Sequence, residues 1–204
     1  MKTVRVKVAW GITGSGDKMI ETIDAMLRIK QSYQTLDIEV FTSKAGQQVA
    51  KYYKVYDKLR DNFARVYIEE NANTPFLVGR LQMRDFRFLI VAPATSNTVA
   101  KIVHGIADTL LTSGVIQALK VDVPVYIMPC DFQEGRTTTT LPDGSKLKLK
   151  IRKEDAANVG ILKTIEGLTV FEKPDEIENI FKDELRTLAK ASNPQEGEGR
   201  STPP

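Results

Sequence analysis

The sequence predicts an α/β protein with a doubly wound parallel sheet and an appended β-hairpin, and three observations carry that reading. Short apolar runs alternate with stretches of helical periodicity, a glycine loop follows the first run, and a late Pro-Asp-Gly-Ser turn separates two β-prone arms. With 204 residues, 42% of them hydrophobic, the chain is long enough for one such domain with a full core. The domain is expected over residues 1–191, with the hairpin inserted at about 136–152 and a disordered tail rich in Gly, Pro, Glu and Ser over 192–204.

Each element follows from its own pattern. Residues 4–10 alternate and then turn apolar, as a first strand does; Gly11 to Gly16 form a loop, and helical spacing covers 17–30. A strand over 37–42 and a helix over 44–54 come next. From Tyr56 to Thr74 the pattern is less regular: Lys58 to Phe63 and Val66 to Ile68 are each open to a short helix or strand, and Pro75 to Met83 adds a helical turn. The run 87–92 is a buried strand that ends at Pro93, and one helix over 97–119 follows, with a break at Gly105 or Gly114. Strand 124–128 completes the alternation. In the hairpin, Thr137 to Ile151, basic residues alternate with Leu147, Leu149 and Ile151, so one face packs while the other is cationic. A helix over 154–163, a strand over 168–171 and an amphipathic helix over 174–191, opened by Pro174 and Asp175, close the chain.

Composition limits the chemistry. The 29 basic and 26 acidic residues are dispersed and give a net charge of +3, which offers no argument for nucleic acid or membrane partners. No run is long enough to span a bilayer, and the N-terminus leads directly into a strand, so a cytoplasmic location is expected. Cys130 is the single cysteine, which excludes an internal disulfide and a CxxC zinc site; with His104 as the single histidine, no metal site is expected.

Consecutive parallel strands end on one edge of a sheet, and a ligand is expected there. After the strand ending near Pro93, Thr95, Ser96, Asn97 and Thr98 present hydroxyls, an amide and helix N-terminal N–H groups, which suit a planar heterocycle with carbonyl and imide edges. A plainer alternative is that Thr95 or Ser96 caps the helix, although one cap accounts for one residue of the four. Thr13, Gly14, Ser15 and Gly16 form a second donor-rich loop at a helix start. Its spacing fits neither the triphosphate nor the dinucleotide fingerprint, and an ordinary tight turn explains it equally well. Ser43 brings a further hydroxyl to the same edge, whereas Lys44 reads as a solvated surface lysine.

The segments Gly-Ile-Thr-Gly-Ser-Gly, Thr-Ser-Lys-Ala, and Ala-Pro-Ala-Thr-Ser-Asn-Thr with Gly-Ile-Ala-Asp-Thr-Leu-Leu-Thr occur in that order. Over roughly residues 4–130 the chain resembles the FMN-binding flavoprotein superfamily, whose members share a Rossmann-like flavoprotein fold. Within it, the archaeal flavoproteins of the ferredoxin-accepting and dihydromethanopterin reductase kinds are the nearest in pattern. The resemblance implies that Gly14, Ser15, Gly16 and Ser43 hold the FMN phosphate and that Thr95 to Thr98 meet the isoalloxazine ring and ribityl chain. It also implies a homo-oligomer with flavin near subunit interfaces, in which Asp108 and residues 105–112 serve assembly.

Departures from the superfamily separate its activities. Cysteine decarboxylases of this kind need a histidine after the second helix and a Pro-x-Met-Asn clamp; this chain has His104, in the helix following Asn97, and Met128-Pro-Cys-Asp131 where the clamp would begin. Flavin prenyltransferases place an Arg-Glu pair where Cys130 and Asp131 stand. The expected function is therefore an FMN-binding redox flavoprotein that accepts electrons from ferredoxin or another iron–sulfur protein. The alternatives are a dihydromethanopterin reductase-type enzyme acting on a pterin and, with less support, a flavin-dependent decarboxylase or prenyltransferase. Asn97 and Cys130 are the candidate catalytic residues. The hairpin cations Lys146, Lys148, Lys150 and Arg152 favour docking of an acidic ferredoxin, and a solvated hairpin face accounts for them as well.

Overall fold

The computed structural model describes residues 5–192, so the tail expectation for 193–204 and the strand start at Val4 lie outside the described residues. Its first half contains β1 (Val6–Ile12), α1 (Met19–Ser32), β2 (Leu36–Thr42), α2 (Lys44–Tyr52), α3 (Tyr56–Asn62), β3 (Arg65–Ile68), α4 (Leu77–Gln82) and β4 (Leu89–Ala94). The second half contains α5 (Ser96–Val103), α6 (Leu110–Leu119), β5 (Val125–Pro129), β6 (Gly135–Thr140), β7 (Lys146–Ile151), α7 (Lys153–Leu162), β8 (Leu168–Val170) and α8 (Glu176–Ser192). Six strands form one parallel sheet in the order β3-β2-β1-β4-β5-β8. The connections reverse direction between β1 and β4, which makes the carboxyl ends of those two strands the topological switch point where α/β proteins bind ligands.

Both faces of the sheet are covered, which is why its strands read as near-continuous apolar runs. Along β1, Val8, Trp10 and Ile12 pack with Ile23, Met26, Phe88 and Phe181 on one face, while Ala9 joins Leu81, Val91, Leu111 and Val115 on the other. Trp10 is wholly buried, and its indole N–H donates to the carbonyl of Ala92 at 2.8 Å, so the ring is packed without an unmet polar atom. No helix among the described residues is long and apolar enough to cross a membrane.

Three sequence expectations are made definite or changed. The helix expected over 97–119, with a break at Gly105 or Gly114, is two helices, α5 and α6, separated at Gly105. Gly105 has φ +70°, its N–H donates to Ile102, and the N–H of Ile106 donates to Lys101, a Schellman termination that a glycine at this position favours. Thr109 then opens α6 with a reciprocal box to Thr112, whereas Gly114 sits inside α6 and does not break it. His104 consequently lies at the exposed C-cap of α5 and not in a helix interior. Second, β4 does not end at Pro93 but continues to Ala94; the ladder with β5 shifts register between Val91 and Ala94, which accommodates a residue that has no N–H to donate. Third, the expected appended hairpin is present, and it pairs with none of the six strands. β6 and β7 form a separate antiparallel sheet, and Leu147 and Leu149 remain 41% and 44% exposed while Ile151 is buried.

Candidate functional site

Thr13, the residue after β1, is buried, and its hydroxyl donates to the carbonyl of Pro93 while accepting from the N–H of Thr95, both at 2.9 Å. This tie clamps the ends of β1 and β4 at the switch point and leaves the Thr13 hydroxyl occupied within the chain. The chain then turns through Gly14, Ser15 and Gly16 to Lys18, which takes a left-handed conformation before α1 begins at Met19. The N–H groups of Gly14, Gly16 and Asp17 donate to no group among the described residues. They form the start-of-helix donor set that an anion can use.

The glycines in this turn are also required by packing. A Cβ on Gly14 would lie 2.6 Å from that of Ala45, and one on Gly16 would lie 2.3 Å from the hydroxyl of Tyr53, so α2 and the residue at its end press directly on the loop. α2 is seated close to the sheet in turn, because a Cβ on Gly46 would come 2.4 Å from the carbonyl oxygen of Ile12. Ser43 caps this helix, accepting from the N–H of Gly46 at 2.9 Å.

The start of α5 supplies less free chemistry than its composition suggests. Thr95 caps the helix by accepting from the N–H of Thr98, and the two hydroxyls also contact each other at 3.0 Å, with Thr98 turned inward and buried. Ser96 donates to the carboxylate of Asp131. Asn97 is exposed. Of the residues expected at the site, Gly14, Ser15, Gly16, Thr95 and Cys130 line one cavity of about 260 Å³. Thr13, Ser43, Ser96, Asn97 and Thr98 do not line it.

Sequence reasoning missed the other walls. Asp17, Tyr53 and Asp131 complete the floor and side, and the hairpin roofs the cavity with Thr137, Thr139, Leu147 and Leu149. Alternation in the hairpin announced an inward face, but nothing in its local pattern named what that face would cover. The opposite face carries Arg136, Lys146, Lys148 and Lys150, all exposed. Arg136 stands directly across from Lys150, a like-charge pair that costs the hairpin stability. Arg152 does not belong to this face, because its guanidinium is held by Asp155 at 2.6 Å and 2.8 Å.

Among the described residues, no Lys, Arg or His lines the cavity. Burial raises the Asp17 carboxyl above its usual range; Lys18 opposes this, while Glu21 and Asp131 add to it. Burial likewise pushes the Cys130 thiol up to about 12, although a hydrogen bond from Ser15 lowers it somewhat. Cys130 is therefore a protonated thiol at neutral pH and not a ready nucleophile. A larger cavity, about 560 Å³, lies between Leu119, Pro124 and Gly167 at the amino ends of β5 and β8. It is the less apt site, since the ligand crevice of an open α/β sheet lies at the carboxyl ends of the strands.

Residues 2–134 match the Flavoprotein family. An uncharacterized protein of Methanocaldococcus jannaschii is 47% identical over 86% of this chain and 94% of its own length. A dihydromethanopterin reductase (acceptor) of the same organism is 37% identical over 73% of this chain and 64% of its own length. Among solved structures, DmrB of Burkholderia xenovorans in complex with FMN, described as a cubic protein cage for redox transfer, is 31% identical and superposes with a TM-score of 0.76 over 93% of this chain and 99% of that one.

Proposed function

The chain belongs to the Flavoprotein family, and from that premise we propose that it binds FMN in the cleft between the Gly14–Gly16 turn and the hairpin and works as a redox flavoprotein. The donor set fits such a group: N–H groups and the Ser15 hydroxyl suit a phosphate, and Leu147 and Leu149 give an apolar wall for a planar ring. When bound, FMN supplies the electron-accepting chemistry, and the protein contributes position, exclusion of water and charge. The cavity is smaller than the usual ligand-pocket range, so one copy of the chain covers only part of an FMN-sized molecule. A second copy completing the site accords with this size and with the cage formed by the Burkholderia relative.

The observation that carries the redox reading is the two-sided hairpin. Its inner face roofs the cleft, and its outer face, directly above, presents four exposed cations. An acidic iron–sulfur protein of the ferredoxin kind, docking on that outer face by complementary charge, delivers electrons across a two-stranded sheet. Stopped-flow reduction of the FMN-loaded protein tests this. Reduction by a ferredoxin should be fast at low ionic strength and slow steeply with salt, and Lys148→Glu with Lys150→Glu should slow it about tenfold or more while leaving FMN bound. Failure to bind FMN overturns the cofactor assignment, and reduction indifferent to both salt and the charge reversal overturns the docking face. A second reading, reduction of a pterin in the remaining volume beside Cys130, draws support from the dihydromethanopterin reductase relative, and pterin-dependent reoxidation of the reduced protein tests it.

A further inference from the structure

The residue that follows the proposed phosphate turn is a carboxylate. Asp17 lines the same cavity as Gly14, Ser15 and Gly16 and faces Asp131 across it. The charged and titratable groups around it are Lys18 and Glu21 from the start of α1, Cys130 and Asp131 from the end of β5, and Tyr53 from the end of α2. The hairpin contributes Thr138, Thr139 and Thr140 on this side; the Lys146 ammonium donates to the Thr140 hydroxyl at 2.6 Å and does not itself line the cavity. Lys18 is the single cation among the lining groups described, and its ammonium donates to the carbonyl oxygen of Glu172 at 3.0 Å. Asp131 already accepts the Ser96 hydroxyl, whereas no donor lies within hydrogen-bond distance of the Asp17 carboxylate among the described residues.

A phosphate monoester carries close to two negative charges at neutral pH and brings strong acceptor oxygens. Placed on the Gly14–Gly16 turn, it lies within a few ångströms of an ionised Asp17 in a partly buried site, with no lining cation to offset the repulsion. A proton on Asp17 removes one of the like charges and converts the carboxyl from an acceptor into a donor toward the phosphate. We propose that Asp17 takes up a proton when the FMN phosphate enters the turn, so that FMN affinity at this site falls as the pH rises. The inference rests on the FMN reading above. Burial already holds the Asp17 carboxyl above its usual range in the free protein, so part of the protonation cost is met before the ligand arrives.

Calorimetric titration of the full chain with FMN, in buffers of different ionisation enthalpy between about pH 5 and about pH 8, reads the proton uptake directly. The wild type should take up more protons than Asp17→Asn, and the variant should bind FMN about tenfold or more tightly near pH 8 while converging on the wild type near pH 5. The phosphate itself titrates near pH 6, but that contribution is common to both proteins. Riboflavin, which lacks the phosphate, should show no excess uptake. Equal uptake and equal affinity in wild type and variant overturn the inference while leaving the FMN reading intact; absence of FMN binding at every pH removes that reading first. Should Asp17→Asn fail to fold, Asp17→Ser takes its place in the same comparison, and uptake with riboflavin equal to that with FMN in the wild type overturns the inference.

Discussion

Glu39, at the centre of β2, is fully buried between two guanidinium groups, whereas Asp17, at the edge of the cleft, is half-buried without a hydrogen-bonding cation among the described residues. Arg80 grips Glu39 with both Nη atoms, at 2.6 Å and 2.8 Å, and Arg65 donates to the same carboxylate from β3. Asp85 steadies Arg80 from behind at 2.8 Å, Lys7 binds Asp85 at 2.6 Å, and the Arg80 guanidinium lies 4.3 Å from the centre of the Phe86 ring. Burial pushes the Glu39 carboxyl up, but the Arg80 and Arg65 hydrogen bonds and charges outweigh it, and the result lies below the usual carboxylate range. Similar side chains therefore do different work. A carboxylate whose charge is fully matched organises the sheet, and one left unmatched beside a cavity is free to respond to what enters.

The largest effect should come from breaking the matched cluster. Arg80→Met strands a buried carboxylate and should cost about 3–5 kcal/mol in denaturant unfolding, while the pair Glu39→Leu with Arg80→Met should recover much of the loss. A single-variant loss below about 1 kcal/mol would mean that Arg65 alone suffices. Next in size, Gly46→Ala drives a methyl against the carbonyl of Ile12, which is backbone and cannot swing aside; a loss of about 1–3 kcal/mol is expected, together with weaker FMN retention as α2 shifts away from Gly14.

Acid and alkali should separate the two carboxylates by sign. The folded Glu39 value is lowered, so its stabilisation is complete above the ordinary value of 4.5 and is lost as pH falls through the folded value. The folded Asp17 value is raised, so its ionisation destabilises the fold as pH rises from 3.8 through the folded value. Asp17→Asn should accordingly stabilise the ligand-free protein by up to about 1 kcal/mol near neutral pH and change nothing in strong acid; thermal melts across pH would reveal the opposite sign if Asp17 were stabilised by a partner. The smallest effect is expected at Cys130. Its thiol should alkylate slowly at neutral pH and faster only as pH approaches about 12, and Cys130→Ser should keep FMN and remain reducible. Rapid neutral labelling would show a thiolate.

Local patterning along the chain encodes the elements and the motifs. Apolar runs at sheet spacing gave the parallel core, because strands buried on both faces leave a continuous hydrophobic signal, and Gly105 announced a helix end that its left-handed geometry satisfies. The glycine loop, the cluster of hydroxyls after β4 and the two-sided hairpin were all visible as motifs. Their partners were not. Thr13 bonding across to Pro93 and Thr95, Ser96 turning to Asp131, and Glu39 meeting Arg80 join residues 80, 82, 35 and 41 positions apart, and no periodicity reports such pairings. Tertiary structure alone decided which hydroxyls remain free for a ligand, that the hairpin covers the cleft instead of extending the sheet, and that Asp17 shares a cavity with Asp131 and no cation. Hydrogen-bond satisfaction and charge matching depend on which groups meet in space, and the folded chain settles that only when all its elements are packed together.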